Sequence, residues 1–395
     1  MESVLFEPLE IGKRLVPNRF VAQGMEGNDG EDGGRPSDRS LDRYRLLARG
    51  GWGLVVAEAI SITESSIARV NGLILNKRNL DSFKRLVEAF RQENPQGLLL
   101  LQLTHSGEQS GSFPPDRVAG GSEKTCLAAP REGYRYLSSD ELEGIRDRFV
   151  SAALLAEEAG ADGVDLKLCH GYLGAEMLRP ANTRPDKWGG SLENRTRLLR
   201  ETVTGLKGGL KSGKFILGSR LSLFEGIRGG CGVGGPDEIV EDLGDMLEVV
   251  RLIGRLGMDY VNVSAGIPAI TGAITRPTEP SKYLALHHLR YTRTVKELAV
   301  REKLGLKVIG SAYSSYKEEA PGVMEEMLAK GYTDLCGFGR QIFADPFTPE
   351  KIRKGEKVNW CRLCSGCTKL MVSQHNDGCI IYNDYYRELF RQVKP

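Results

Sequence analysis

Lys167, His170 and Tyr172 put an amine, an imidazole and a phenol within six consecutive residues, and each of these groups can hold or donate a proton. They follow the short apolar run Gly163-Val164-Asp165-Leu166, so the three stand where a strand gives way to a turn. A second constellation lies near the C-terminus, Cys361-x2-Cys364-x2-Cys367-x11-Cys379. Three thiols in one tight loop with a fourth returning from a nearby segment suit a cubane iron-sulfur cluster; zinc would also accept four thiolates, and unligated thiols are the third possibility. The other four cysteines, Cys126, Cys169, Cys231 and Cys336, are scattered. A reducing compartment leaves the clustered set open to metal. His105, His287, His288 and His375 show no metal spacing; His105, just past an apolar run, is expected to line a cavity.

The elements that must position these groups alternate. Apolar, strand-like runs occur at Arg19–Gln23, Gly53–Glu58, Leu98–Leu103, Asp162–Leu168, Phe215–Leu221, Asp259–Ser264, Leu306–Ser311 and Thr333–Phe338, with helical stretches between them. Eight strands alternating with helices predict a (β/α)8 TIM barrel, which places chemistry at the carboxyl ends of its strands. Ser138 and Glu141 read as a capping box opening a helix over Ser138–Ala159, with Ile145, Phe149, Ala152 and Ala156 on its inner face and Gly160 at its end. A second helix is predicted over Pro236–Leu256, with Pro236 at its first position and Ile239, Leu243, Met246, Val250 and Ile253 along one face. The rival architecture is a doubly wound nucleotide-binding sheet. Gly230 to Gly235 satisfies G-x-G-x-x-G, but a loop separates it from the preceding strand, and the fingerprint needs its first glycine in the turn directly after the strand. It reads as loop.

Charge excludes several partners. The chain has 54 basic and 52 acidic residues and a net charge of +2, with no basic block, so nucleic acid is not expected. Hydrophobic residues make up 40% of its 395 residues, no apolar run is long enough to span a membrane, and Glu2, Glu7 and Glu10 interrupt the N-terminal stretch where a signal peptide needs apolar continuity. A cytoplasmic protein is expected. A homo-oligomer is compatible with the sequence, which sets no stoichiometry.

The run His170-Gly-Tyr172-Leu, followed by Arg179-Pro-x-Asn-x-Arg-x-Asp-x-Trp-Gly-Gly-Ser-x-Glu-Asn-Arg195, resembles the old yellow enzyme family of flavin-dependent ene-reductases, in the branch that holds bacterial 2,4-dienoyl-CoA reductase and trimethylamine dehydrogenase. The resemblance covers about Phe6 to Pro346 and implies two parts, a barrel at 1–346 that binds FMN and a cysteine-bearing extension at 347–395. It implies that Ala59, Gln102 and Arg220 contact the isoalloxazine ring, with Gly24, Met25 and Glu26 beneath it. Gly339-Arg340-Gln341-x-x-Ala344-Asp345-Pro346 looks like the family's phosphate corner, with Ser311 and Ala312 beside it, and implies a single phosphate. By the same resemblance His170 orients a substrate carbonyl and Tyr172 supplies a proton, while Cys361, Cys364, Cys367 and Cys379 match a 4Fe-4S position.

Two departures stand out. Gly24 and Glu26 occupy positions where the family usually has proline and threonine or cysteine; an ionised Glu26 near the ring would lower the flavin potential, whereas a solvent-facing Glu26 would not. Lys167 stands where many members have histidine, and its charge predicts an acceptor bearing a carboxylate, unless the lysine merely holds a neighbouring carboxylate. The expected function is reduction of activated C=C bonds of unsaturated carbonyl or carboxylate compounds, with NAD(P)H or a separate electron-transfer protein as donor. An amine dehydrogenase or demethylase is the alternative, although no cysteine precedes Cys126 to form a covalent flavin link. A non-catalytic flavin- or metal-binding barrel is the third reading.

Overall fold

Strands buried on both faces must be apolar toward the helices as well as toward the axis, and the eight apolar runs meet that demand. In a computed structural model, which describes residues 3–110, 117–119 and 134–393, they form a closed parallel barrel of eight strands. A hairpin of β1 (Leu9–Ile11) and β2 (Arg14–Val16) precedes it. The barrel runs through β3 (Phe20–Ala22), β4 (Leu54–Ser61), β5 (Leu98–Thr104), β8 (Gly163–Leu168), β9 (Ile216–Ser222), β10 (Tyr260–Ser264), β11 (Lys307–Gly310) and β12 (Leu335–Phe338) and closes by pairing β12 with β3. A separate short pair, β6 (Arg117–Ala119) and β7 (Tyr134–Tyr136), lies between β5 and β8 in sequence. Cys126 falls outside the described residues.

Alternate residues of each strand face opposite ways. The inward ones build the barrel's lower layer from Val21, Leu54, Val56, Leu98, Leu100, Ile216, Tyr260, Ile309 and Leu335, and the hairpin's Ile11 and Val16 plug its bottom. The outward ones, such as Phe20, Val164, Leu166, Val261 and Phe338, join the helical shell in one large core. Above the apolar floor the interior turns polar. Tyr260 donates its hydroxyl to Asp165 at 2.6 Å, and Gln102 donates Nε2 to the same carboxylate at 2.9 Å. Tyr260 fits because its neighbour in register is Gly218, where a Cβ would collide with the phenol ring.

The capping-box helix forms as Ser139–Glu158 with Ser138 as its cap, and Gly160 takes a φ of +85° just past the end. The helix expected over Pro236–Leu256 is a correction: it begins only at Gly244 and ends at Arg255. Residues 236–243 instead return to the preceding loop, where Gly229 N–H donates to the Glu238 carbonyl at 2.7 Å and Asp242 N–H donates to Gly232 at 2.8 Å. Those tertiary bonds take a carbonyl and an amide that a helix would need, and Ile239 and Val240 are left exposed. The glycine-rich Gly230 to Gly235 is loop.

Beyond the barrel, helices at Thr348–Lys354, Gly366–Val372 and Asp384–Gln392 carry the chain back over its mouth. The loop after β3 holds them there: Asn28 Nδ2 donates to the His375 carbonyl at 3.0 Å, Asn376 Nδ2 to Asn28 O at 2.6 Å, and Asp377 N–H to Gly27 O at 2.7 Å. Among the described residues no helix is long and apolar enough to cross a membrane.

Candidate active site at the barrel mouth

Each inward strand position one pleat above the Asp165–Tyr260 layer carries a group able to do chemistry. On β8 that position is Lys167, on β9 Arg220 and on β10 Asn262. Lys167 and Arg220 border a cavity of about 590 Å³ at the carboxyl ends of the strands, within the usual range for a small-molecule site.

Past β8 the chain turns through two residues of positive φ, His170 at +65° and Gly171 at +74°, a costly conformation for a side-chain-bearing residue. The turn throws His170 and Tyr172 onto the cavity side together with Lys167. His170 Nε2 lies 3.0 Å from Ser264 Oγ, and its amide donates to Ser222 Oγ at 3.3 Å. Burial, then Arg220 and Lys167, holds the imidazole well below its ordinary range, so at neutral pH it is uncharged and offers one N–H.

Tyr172 donates its hydroxyl to Glu26 Oε1 at 2.7 Å, and Arg69 Nε lies 3.0 Å from the other oxygen of that carboxylate. Burial would raise the Glu26 carboxyl, but Arg69 and Lys167 overcome it and hold it at about 2. Glu26 is therefore ionised and directed into the site, not toward open solvent. Tyr172 is pushed well above the ordinary phenol range, by burial first and by Glu26 second. Lys167 Nζ sits 3.4 Å from the centre of the Tyr172 ring. Burial lowers the ammonium, Glu26 raises it, and Cys169, Arg220 and Arg69 add smaller effects of either sign, leaving it at about 8.

The remaining expected residues divide. Gly24, Met25, Ser311, Ala312, Gly339 and Arg340 line the same cavity as Glu26, Lys167, His170, Tyr172 and Arg220. Ala59 and Gln102, which pair in register between β4 and β5, do not: the Gln102 amide is engaged by Asp165 in the layer below, and Ala59 borders a smaller neighbouring pocket. His105 is buried, its Nδ1 accepts from the Gly107 amide at 3.1 Å, and it is not part of the cavity lining.

Several lining residues went unread in the sequence. Gln23 bridges Asn262 and Ser311 at 3.1 and 2.9 Å. His288 reaches the site from the helix Ala285–Arg301, where Nε2 meets the Ile274 carbonyl at 2.9 Å and burial lowers the imidazole to about 4. Arg69 and Arg276 come from loops, and Met371, Gln374 and Asp377 from the tail. Arg276 donates to the Thr368 hydroxyl at 3.3 Å and to the Met371 sulfur at 3.4 Å. No local motif marks these positions, because the contacts join segments far apart in sequence.

The donors fit a flavin mononucleotide. Arg340 spends Nη2 on the Pro277 carbonyl at 2.6 Å and leaves Nη1 buried without a partner. Beside it, Gly339 opens onto space where a side chain would meet nothing nearer than the Met25 sulfur at 3.4 Å. Arg220 Nε is likewise buried and unpartnered. Two buried, unpartnered guanidinium N–H groups on residues that line one cavity suit an anion at one end and an electron-rich ring edge at the other.

Among the described residues, no group of three or more His, Cys, Asp or Glu side chains is arranged to hold a metal ion. Of the four tail cysteines, Cys361 and Cys379 pack in one small cluster. Burial raises Cys361, Cys367 and Cys379, and each also responds to a neighbouring cysteine of the set: Cys361 to Cys364, Cys367 to Cys361, and Cys379 to Cys361 and Cys364.

The family model described as NADH:flavin oxidoreductase / NADH oxidase matches residues 4–359. Among curated relatives, an NADH oxidase of Thermoanaerobacter brockii is 28% identical over 386 residues, 95% of this chain and 53% of that protein. An N,N-dimethylglycine/sarcosine dehydrogenase of Chromohalobacter salexigens is 26% identical, over 94% of this chain and 51% of its own length. The chain thus spans about half the length of these relatives. The solved structure of a 2-naphthoyl-CoA reductase in complex with 2-naphthoyl-CoA superposes with a TM-score of 0.81 at 23% identity, covering 98% of this chain and 58% of that one.

Proposed function

The chain belongs to the NADH:flavin oxidoreductase / NADH oxidase family, the old yellow enzyme family, and from that membership and the site we propose that it reduces activated C=C bonds of α,β-unsaturated carbonyl or carboxylate compounds with FMN as cofactor. The observation that carries this reading is the charge of the cavity. Lys167, Arg69, Arg220, Arg276 and Arg340 line it against Glu26 and Asp377, and burial pushes the Asp377 carboxyl well above its ordinary range, which removes one of the two opposing charges. A cationic amine would meet an excess of like charge, whereas a substrate that gathers negative charge on oxygen is favoured.

A bound flavin supplies two-electron hydride chemistry, renewed by NAD(P)H or by a separate electron-transfer protein. Arg340 with Ser311, Ala312 and Gly339 would hold its phosphate, and Arg220 would balance charge on the reduced ring. Neutral His170 donates its N–H to the substrate oxygen where charge builds, and Ser264 fixes the imidazole's direction. Lys167 faces the substrate from the barrel wall. The barrel part is assigned to 1–346 and the extension to 347–395, whose Met371, Gln374 and Asp377 line the mouth. Cys361, Cys364, Cys367 and Cys379 are proposed as ligands of a 4Fe-4S cluster, whose body spreads its ligands farther apart than a single ion does.

Anaerobic reduction of the flavin-loaded protein, followed by mixing with enones, enoates, enoyl thioesters and secondary amines, tests the proposal. Reoxidation by unsaturated acceptors is expected. Reduction of the oxidised protein by amines, with no response to any unsaturated acceptor, would replace it with the dehydrogenase reading.

A further inference from the structure

Tyr172 and Lys167 compete for one task, because both stand over the cavity and a hydride added to the β-carbon must be matched by a proton at the α-carbon. The phenol's single proton is already committed: it points at Glu26 Oε1, 2.7 Å away, and Glu26 is in turn held by Arg69. Giving that proton up would leave a phenolate against a carboxylate, two like charges in a buried site. Lys167 is placed in the opposite way. It is 6% exposed, borders the cavity, and its Nζ makes no hydrogen bond or ion pair among the described residues. The face of the Tyr172 ring lies against it, 3.4 Å from Nζ to the ring centre, which steadies an ammonium but accepts no conventional hydrogen bond. All three N–H bonds therefore remain available to whatever enters.

We propose that Lys167 is the catalytic acid that protonates the α-carbon, and that Tyr172 is a positioning residue, tied back by Glu26, that seats the ammonium. The step rests on the ene-reductase reading above. Hydride from the reduced flavin forms the β C–H bond as the C=C π bond breaks, and the released electron pair moves toward the carbonyl. An Nζ–H bond of Lys167 then breaks and its proton forms the α C–H bond. The lysine is left as a neutral amine and regains a proton from water; the two electrons of the hydride would be supplied by a bound flavin and ultimately by NAD(P)H.

The groups facing Lys167 agree with this role. Glu26 after β3 favours the ammonium, while Arg69 from the loop after β4 and Arg220 on β9 oppose it, and Cys169, His170 and Tyr172 adjoin it on its own strand and turn. The balance leaves the ammonium near about 8, close to the working pH, where a general acid is most effective.

Single-turnover reoxidation of the flavin-loaded wild type, Lys167→Met, Lys167→His and Tyr172→Phe separates the roles. Lys167→Met should lose about 10²- to 10⁴-fold in the reoxidation step, Lys167→His should recover part of that loss with its alkaline limb moved to lower pH, and Tyr172→Phe should stay within about tenfold of wild type. Titration of the wild-type holoenzyme's ¹⁵Nζ-labelled lysines by NMR should reveal one ammonium that loses its proton near pH 8 and disappears in Lys167→Met, independently of turnover. A Tyr172→Phe protein that binds flavin normally yet loses the step about 100-fold or more would overturn the assignment, as would a Lys167→Met protein that changes only KM. If wild-type reduced flavin is reoxidised by no unsaturated acceptor, the ene-reductase reading falls and takes this step with it; if it is reoxidised and the tyrosine variant alone fails, only this step falls.

Discussion

Replacing Arg43 by methionine probes how the loop under the flavin site is held. The guanidinium lies between Asp29 and Glu58, 2.8 and 2.5 Å from their oxygens, and both carboxylates are 1% exposed. Without it two buried carboxylates face each other with no cation, a loss of about 3–5 kcal/mol. The pH dependence shows whether that loss is electrostatic. Burial raises the Glu58 carboxyl, Arg43 pulls it down and Asp29 pushes it back, leaving it at about 7. A folded-state value above the ordinary carboxyl range means that the stability Glu58 contributes when protonated is lost as pH rises from that range through 7. In Arg43→Met the downward pull is gone, so the carboxyl keeps its proton to higher pH and the loss continues where the wild type's has ended. The stability gap should therefore widen above pH 7 by about 1.4 kcal/mol per pH unit. Urea unfolding followed by intrinsic fluorescence at about pH 6.5, 7.5 and 8.5 measures the gap directly. A gap below about 1 kcal/mol, or one identical at every pH, would refute the reasoning. Because Gly27 N–H donates to Glu58 Oε2 at 3.1 Å, the variant should also bind FMN more weakly.

Glu26→Gln removes an ionised carboxylate from the cavity and should raise the midpoint potential of the bound flavin; an unchanged potential in spectroelectrochemical titration would place that charge out of electrical reach of the ring. Arg340→Ala deletes the guanidinium whose buried Nη1 lacks a partner, and apoprotein titrated with FMN should lose about 10- to 100-fold in affinity, the worth of a charge-assisted hydrogen bond. Tyr260→Phe takes a 2.6 Å donor from buried Asp165 and should cost about 1–3 kcal/mol in urea unfolding. In protein purified without oxygen, Cys364→Ala should lose bound iron and sulfide together with absorbance overlapping the flavin bands, and a wild type that contains neither would remove the cluster.

Strand count was legible because a parallel barrel imposes burial on both strand faces, and that burial writes itself as apolar runs such as Leu98 to Leu103. The reactive turn was legible because Lys167, His170 and Tyr172 are neighbours in sequence. What escaped were features set by distance. By resemblance Gln102 is expected at the flavin ring, yet its Nε2 donates to Asp165 across the β5–β8 pair. Residues 236–243 have a helical pattern, but hydrogen bonds to the loop around Gly232 outcompete the helix. Arg69, Arg276 and Asp377 face one cavity only because two loops and the tail converge there, and no local period encodes that meeting.

The tail's place over the mouth, with Met371, Gln374 and Asp377 facing inward, divides two jobs between two stretches of chain. The barrel's strand ends keep the reaction, while the ceiling that any guest must fit beneath is borrowed from a segment that belongs to no strand. Substitutions along that ceiling could retune which molecules are admitted and leave the chemistry beneath untouched, so the choice of guest and the means of transforming it are free to change at different rates.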